Sequence, residues 1–235
     1  MLFYFFVNGN CYAQSFYRFN NFSIDQGLSQ STALFVLQDD QYAIWVGTQD
    51  GLNRFDGKTF EVKNTLNTPG LSNNFIHAGG KDKNGYLWFG TGNGLTLFNP
   101  NLDKFQNFRP SEETFSIEDL AVDNSGNIWM VTTNSGVWKF DYVSKKFSNL
   151  NAIFKTRLGK KIFVTTKGEV LLASDEPLLQ VYNVSSNKSI EIELKTKLAN
   201  YPLRVNFTTQ IGDGEVYLGT NQGIFLLNLK TYKAI

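Results

Sequence analysis

An all-β fold built from repeated four-stranded antiparallel units is what this sequence predicts, on three observations. Aromatic residues make up 15 % of the chain, with 21 Phe and 10 Tyr, and strands favour aromatic side chains. No segment sustains the i, i+3, i+4, i+7 spacing of an amphipathic helix, which rejects a helical repeat array. A short pattern also recurs at a nearly constant interval. Ala43-Ile44-Trp45-Val46-Gly47-Thr48-Gln49-Asp50-Gly51-Leu52 returns as Tyr86-Leu87-Trp88-Phe89-Gly90-Thr91-Gly92-Asn93-Gly94-Leu95. A third copy, Asn127-Ile128-Trp129-Met130-Val131-Thr132, reaches Gly136 with one extra residue. The fourth, Gly168 to Ser174, is worn, and the fifth, Gly214 to Ile224, recovers the pattern. Between the anchors Trp45, Trp88, Trp129, Leu171 and Tyr217 the steps are 43, 41, 42 and 46 residues. A four-stranded β-propeller blade has this period. The expected architecture is therefore an all-β propeller with about five blades, near 29–66, 71–110, 114–150, 155–195 and 202–235.

Each repeat parses into four short strands. In the first, Ala33–Gln38 is apolar, Asp39–Tyr42 is a turn, and Ile44–Thr48 carries the anchor. A turn with Gly51 leads to Leu52–Phe55, and Asp56-Gly57 signals a hairpin into Thr59–Lys63. The second repeat gives Phe75–Gly79, Tyr86–Gly90, Leu95–Phe98 and Lys104–Phe108. One blade cannot bury both of its faces, so neighbours must stack on it. The tryptophans supply that contact, about 150–250 Å² per aromatic side chain. Gly47, Gly90 and Gly219 stand where a side chain would block close approach. Thr48, Thr91 and Thr220 can hold the following turn with their hydroxyls, and Gly51, Gly94, Gly136 and Gly223 supply turn conformations closed to other residues. All of these read as scaffold.

Composition sets limits on function. The 235 residues make one large domain or two small ones. A net charge of +1 gives no general attraction to nucleic acid or an anionic membrane. One His and one Cys exclude a multi-His or multi-Cys metal site and an internal disulfide within the chain. The apolar run Leu2–Val7, followed by Cys11-Tyr12-Ala13, reads as the end of a secretory signal peptide over residues 1–13, cut before Gln14. It is short and lacks a basic residue ahead of the run. The expected location is periplasmic or otherwise extracytoplasmic. No other apolar run approaches the ~20 residues that span a bilayer. Thr231–Ile235 is strand-like, so the chain reads as a piece of something longer.

Other motifs have plain readings. Asp82-Lys83-Asn84-Gly85 and Asp123-Asn124-Ser125-Gly126 look like the start of a calcium loop, but the closing Glu is missing, and tight turns explain them. His77, the single histidine, lies on an inner strand where residues can line the central channel; a structural role is the default. There is no G-x-S-x-G elbow. The sequons at Asn21, Asn183, Asn187 and Asn206 read as chance. The four basic residues between Lys155 and Lys161 read as a solvated connection before the worn repeat. No catalytic residue, metal ligand or cofactor is expected.

The stretch from Phe22-Ser23-Ile24-Asp25-Gln26-Gly27-Leu28-Ser29 through Val36-Leu37-Gln38-Asp39 to Asn53-Arg54-Phe55-Asp56-Gly57 resembles the opening blade of two-component regulator propellers. That family forms the extracytoplasmic sensor region of hybrid two-component histidine kinases. "DGLS" opens its ring, here interrupted by Gln26, and each blade carries a "G-x-[LI]-W-x-G-T-x-x-G-L" core. The resemblance covers roughly Phe16 to Ile235. It implies a part of a seven-bladed ring, with Phe16–Phe19 as the closing strand of a last blade. It also implies a longer parent with further propeller, membrane and kinase domains, an oligosaccharide ligand and a homodimeric receptor, without nucleic acid. The expected function is a ligand-sensing propeller for a glycan. The alternatives are a streptogramin-lyase-like propeller enzyme, which would need a histidine base and a divalent metal, and a non-sensing interaction scaffold.

Overall fold

The structure, a computed structural model, describes residues 19–111, 115–154, 159–195 and 203–235. The signal-peptide reading falls on residues 1–13, outside the described residues, as do Phe16, Tyr17 and Arg18 of the expected closing strand. Five four-stranded antiparallel sheets follow one another. The first holds β1 (Phe35–Gln38), β2 (Ile44–Thr48), β3 (Gly51–Phe55) and β4 (Phe60–Lys63). The second holds β5 (Ile76–Lys81), β6 (Leu87–Thr91), β7 (Gly94–Asn99) and β8 (Lys104–Phe108). The third holds β9 (Ile117–Val122), β10 (Ile128–Thr132), β11 (Gly136–Asp141) and β12 (Lys146–Asn149). The fourth holds β13 (Gly159–Val164), β14 (Glu169–Ser174), β15 (Leu178–Asn183) and β16 (Lys188–Glu193). The fifth holds β17 (Val205–Ile211), β18 (Glu215–Thr220), β19 (Gly223–Asn228) and β20 (Lys233–Ala234). Each sheet is a meander with its strands in chain order. Among the described residues there is no α-helix, only a 3₁₀ turn at Ile24–Gln26. There the inserted Gln26 has a use: its side chain accepts the Ser23 N–H at 2.8 Å and closes a capping box.

Two expectations are corrected. β5 runs on through Gly79-Gly80 to Lys81, where the sequence placed its end at Gly79. The Gly79 backbone faces the Phe35 ring of the first sheet, which occupies the space a Cβ would need. The basic run is not a solvated connection throughout: Lys160 and Lys161 lie on β13, while 155–158 fall outside the described residues. A strand forms there because Gly159 and Ile162, alternate positions of the ladder once the extra residue Lys160 is passed, are buried and Lys161 reaches a carboxylate in the neighbouring sheet.

The first strands stand side by side, β1 against β5, β5 against β9, β9 against β13 and β13 against β17, so the blades fan around one axis. The core is divided among the seams. Trp45 packs on Phe98 (ring centroids 4.9 Å) and Phe89 (5.8 Å) of the second blade. Trp88 packs on Tyr142 (5.2 Å) and Phe140 (5.9 Å) of the third, and Trp129 on Tyr182 (6.2 Å) of the fourth. Leu171 joins Val216, Leu218 and Leu227 in the last seam. That seam is also tied by Tyr232, whose hydroxyl donates to Glu169; this bond, with some burial, holds the phenol pushed up to about 12. Each of the first four anchors thus leaves its own sheet and completes the core of the next.

The outer face of the first blade repeats the receiving half of a seam. Phe55 and Phe60 pair at 4.7 Å, as Phe98 and Phe105 do in the second blade. Trp45 sits 4.9 Å from Phe98, and Phe22 sits 4.8 Å from Phe55. Phe22, from the segment ahead of β1, fills the place that an anchor fills elsewhere.

Candidate functional site

The repeat residues lie in the seams and hairpins. Thr48 shows the hydroxyl's work: Oγ1 accepts the Asp50 N–H at 3.1 Å and donates to the Gly51 carbonyl at 3.0 Å. Thr91 and Thr220 make the same pair of bonds around Gly94 and Gly223, and Thr132 makes it across the longer turn to Gly136. Gly219 faces the ring of Phe207 as Gly47 faces that of Phe35, and the space at Gly90 is taken by Ile117 of the third blade.

One structural role is absent from the sequence reading. The turn aspartates Asp39, Asp82 and Asp123 each accept an indole N–H, from Trp45 at 2.7 Å, Trp88 at 3.2 Å and Trp129 at 2.9 Å. The other oxygen of Asp82 accepts the N–H groups of Asn84 and Tyr86 and so holds the turn. A buried indole N–H needs an acceptor and a buried carboxylate needs donors. The pairing holds within this chain: where the anchor is Leu171 or Tyr217, the residue six positions earlier is Thr165 or Ile211. The signal was present as a constant Asp-to-Trp spacing of six.

The candidate site is at the axis. At the end where the first strands begin, β5, β9, β13 and β17 each carry a register shift. The extra residues are His77, Glu118, Lys160 and Asn206. A bulge leaves one residue outside the ladder, re-aims its side chain, and is found often beside binding sites. Here one bend of the scaffold presents four different polar chemistries at the same level. The Glu118 carboxylate accepts from Thr133 Oγ1 at 2.9 Å. His77 stacks on Phe75 with ring centroids 3.9 Å apart. Burial lowers its pKa below the ordinary 6.5, and the charge of Glu118 opposes that shift. Below about pH 6.5 the unfolded chain therefore binds a proton that the folded chain resists. His77's contribution to stability is complete above that pH and is lost as the pH falls through its lowered value. Thermal unfolding at pH 7.5 and 5.0 should show a decrease that is smaller in His77→Gln; an unchanged decrease in the variant rules this out.

Beyond the bulges, a cavity of about 420 Å³ is lined by residues from all five first strands or their entry, from Leu34 to Thr208. None of the sequence-predicted repeat residues lines it, nor does His77. One ladder position per blade is equivalent by register, opposite Gly47, Gly90, Val131, Ala173 and Gly219: Phe35, Ala78, Asp119, Lys161 and Phe207. All but Ala78 line the cavity. Lys161 Nζ lies 3.3 Å from Asp119 Oδ1, and the Ile162 N–H donates to Oδ2 at 2.9 Å. Burial pushes the Asp119 carboxyl up, and Lys161 and that N–H work against the shift. The cavity therefore combines the Phe35 and Phe207 rings with one ion pair, Lys161–Asp119.

No family model matches the chain. A histidine kinase of Formosa agariphila is 50 % identical over 44 residues, 19 % of this chain and 3 % of that protein. Two solved extracellular domains of hybrid two-component systems from B. thetaiotaomicron share the fold. One has a TM-score of 0.74 at 20 % identity over 92 % of this chain and 31 % of its own. The other has 0.74 at 17 % identity over 88 % and 30 %. The chain thus spans about a third of those domains. No helix among the described residues is long and apolar enough to cross a membrane. The resemblance read from the repeats is met by these comparisons: the chain is an all-β array of propeller blades, similar in fold to the extracellular domains of hybrid two-component systems and, over 44 residues, in sequence to a histidine kinase.

Proposed function

We propose that the chain is the ligand-sensing part of an extracytoplasmic two-component receptor and that its ligand is a glycan bound at the axial cavity. The observation that carries this is the division of labour between seams and axis. Hairpins repeat from blade to blade, and the Asp–Trp pair repeats through the first three, while the bulge residue differs in each of the four blades that carry one and the equivalent ladder position varies among Phe, Ala, Asp and Lys. Phe35 and Phe207 offer flat faces for a sugar ring, and the Asn206 amide offers a donor and an acceptor for its hydroxyls. In a longer parent with membrane and kinase domains, a bound glycan shifts the receptor between arrangements by no more than its difference in affinity for them. Calorimetry of the chain against a panel of neutral and acidic oligosaccharides tests the reading. Heat of binding is expected from at least one sugar and is expected to be lost in Phe207→Ala. A folded protein silent to the whole panel overturns it.

A further inference from the structure

The seam between the fourth and fifth blades opens, at the bulge end, into a cavity of about 330 Å³ lined by Lys160, Lys161, Asp175, Arg204, Val205 and Asn206. Two of these are bulge residues. The lining carries three cations and one carboxylate. Lys161 is committed to Asp119. Arg204 meets Asp175 only through Nε, at 3.6 Å, with 64 % and 45 % of the two side chains exposed; such a surface pair is weak. Lys160 has no carboxylate partner among the described residues. The polar cavity around Arg54 and Lys63 differs, because Asp39, Glu61 and Asp103 line it too and Glu61 pairs with Lys63 at 2.6 Å. The cavity at Lys160 is therefore left with positive charge that its own walls do not balance.

This cavity adjoins the axial one: Lys161 and Asn206 line both. The next residue, Phe207, faces the axial cavity with 52 % of its surface exposed. We propose that the cavity binds the anionic group of an acidic sugar, a carboxylate or a sulfate ester, through Lys160 and Arg204, while the sugar ring lies along Phe207. A guanidinium fork suits either oxyanion, and the lysine adds a point charge. A nucleic-acid phosphate is disfavoured, because the whole chain carries only +1 and has no basic stripe to follow a phosphate backbone. The inference rests on the sensing reading above and adds the charge of the ligand to it.

The test is calorimetry with trigalacturonate, a sulfated galactose disaccharide, neutral galactotriose and sodium sulfate alone. Both acidic sugars should bind, more weakly as salt rises, and galactotriose should bind far less. Lys160→Gln and Arg204→Gln should each weaken the acidic sugars by roughly tenfold. Phe207→Ala should weaken the sugars and leave sulfate unchanged. Lys188→Gln, on the exposed outer strand β16, should change nothing, and thermal unfolding confirms that each variant is folded. Galactotriose binding as tightly as the acidic sugars, with Lys160→Gln and Arg204→Gln without effect, overturns the charge assignment and leaves glycan sensing in place. Sulfate binding as tightly as the acidic sugars also overturns it, since the cavity is then a plain anion site. Silence to every probe overturns both readings.

Discussion

Trp88→Ala is expected to lower stability by about 3–5 kcal/mol, the range for removing a buried large aromatic side chain. Trp88 is fully buried and touches Phe108 of its own blade and Phe140 and Tyr142 of the next. Its removal empties a seam that two blades share, and it leaves Asp82 without its indole donor. A typical domain holds only about 5–15 kcal/mol in reserve, so the variant should unfold at a markedly lower denaturant concentration. Trp88→Phe keeps most of the ring area and should cost less. Tyr217 is the internal control: it occupies the anchor position of the fifth blade but is only partly buried. Tyr217→Ala should cost clearly less than Trp88→Ala. Equal costs would mean that the anchor's burial in the seam is not what matters.

Asp82→Ala should cost about 2–3 kcal/mol, from a side chain that sequence alone assigns to a turn. Asp82 is 7 % exposed and accepts three N–H groups, from Asn84, Tyr86 and the Trp88 indole. The indole N–H cannot reach water when its acceptor is removed, and an unsatisfied buried donor costs about 1–3 kcal/mol; loss of the turn bonds adds to that. The double variant Asp82→Ala, Trp88→Phe separates the two parts. With the indole already gone, Asp82→Ala should cost less than it does alone, a non-additivity of the kind contacting residues show. Full additivity in denaturant unfolding would place the role of Asp82 in the turn only. Asp25→Ala, an exposed change in the 3₁₀ turn, should move stability little by comparison.

Much of the scaffold was legible because it repeats. Five copies of one pattern fix the period, and the period fixes the blade; alternation around Trp45, Trp88 and Trp129 then places the strands to within a residue or two. The Asp-to-indole bond was hidden because a tight turn already explains each aspartate, and the indole approaches from across the hairpin. The axial site was hidden for a different reason. A bulge is one extra residue in a ladder, and a sequence without its register does not show that His77, Glu118, Lys160 and Asn206 occupy equivalent places. Lys160 and Lys161 read as a connection in the sequence because charge suggests solvent, whereas the bulge turns one lysine outward and lets its neighbour reach Asp119. Phe22 lies outside any repeat, so its substitution for an anchor has no counterpart with which to compare it.

The way each anchor crosses into the following sheet also bears on how such a chain can grow. The first three anchors make one kind of seam, in which a tryptophan held by its own aspartate packs on aromatic rings of the following blade. Duplication of one period within those three blades carries its own anchor, aspartate and receiving rings, and so brings the parts of one more such seam. The bulge residues take little part in the seams, so each newly duplicated copy can diverge at the axis while its scaffold stays fixed.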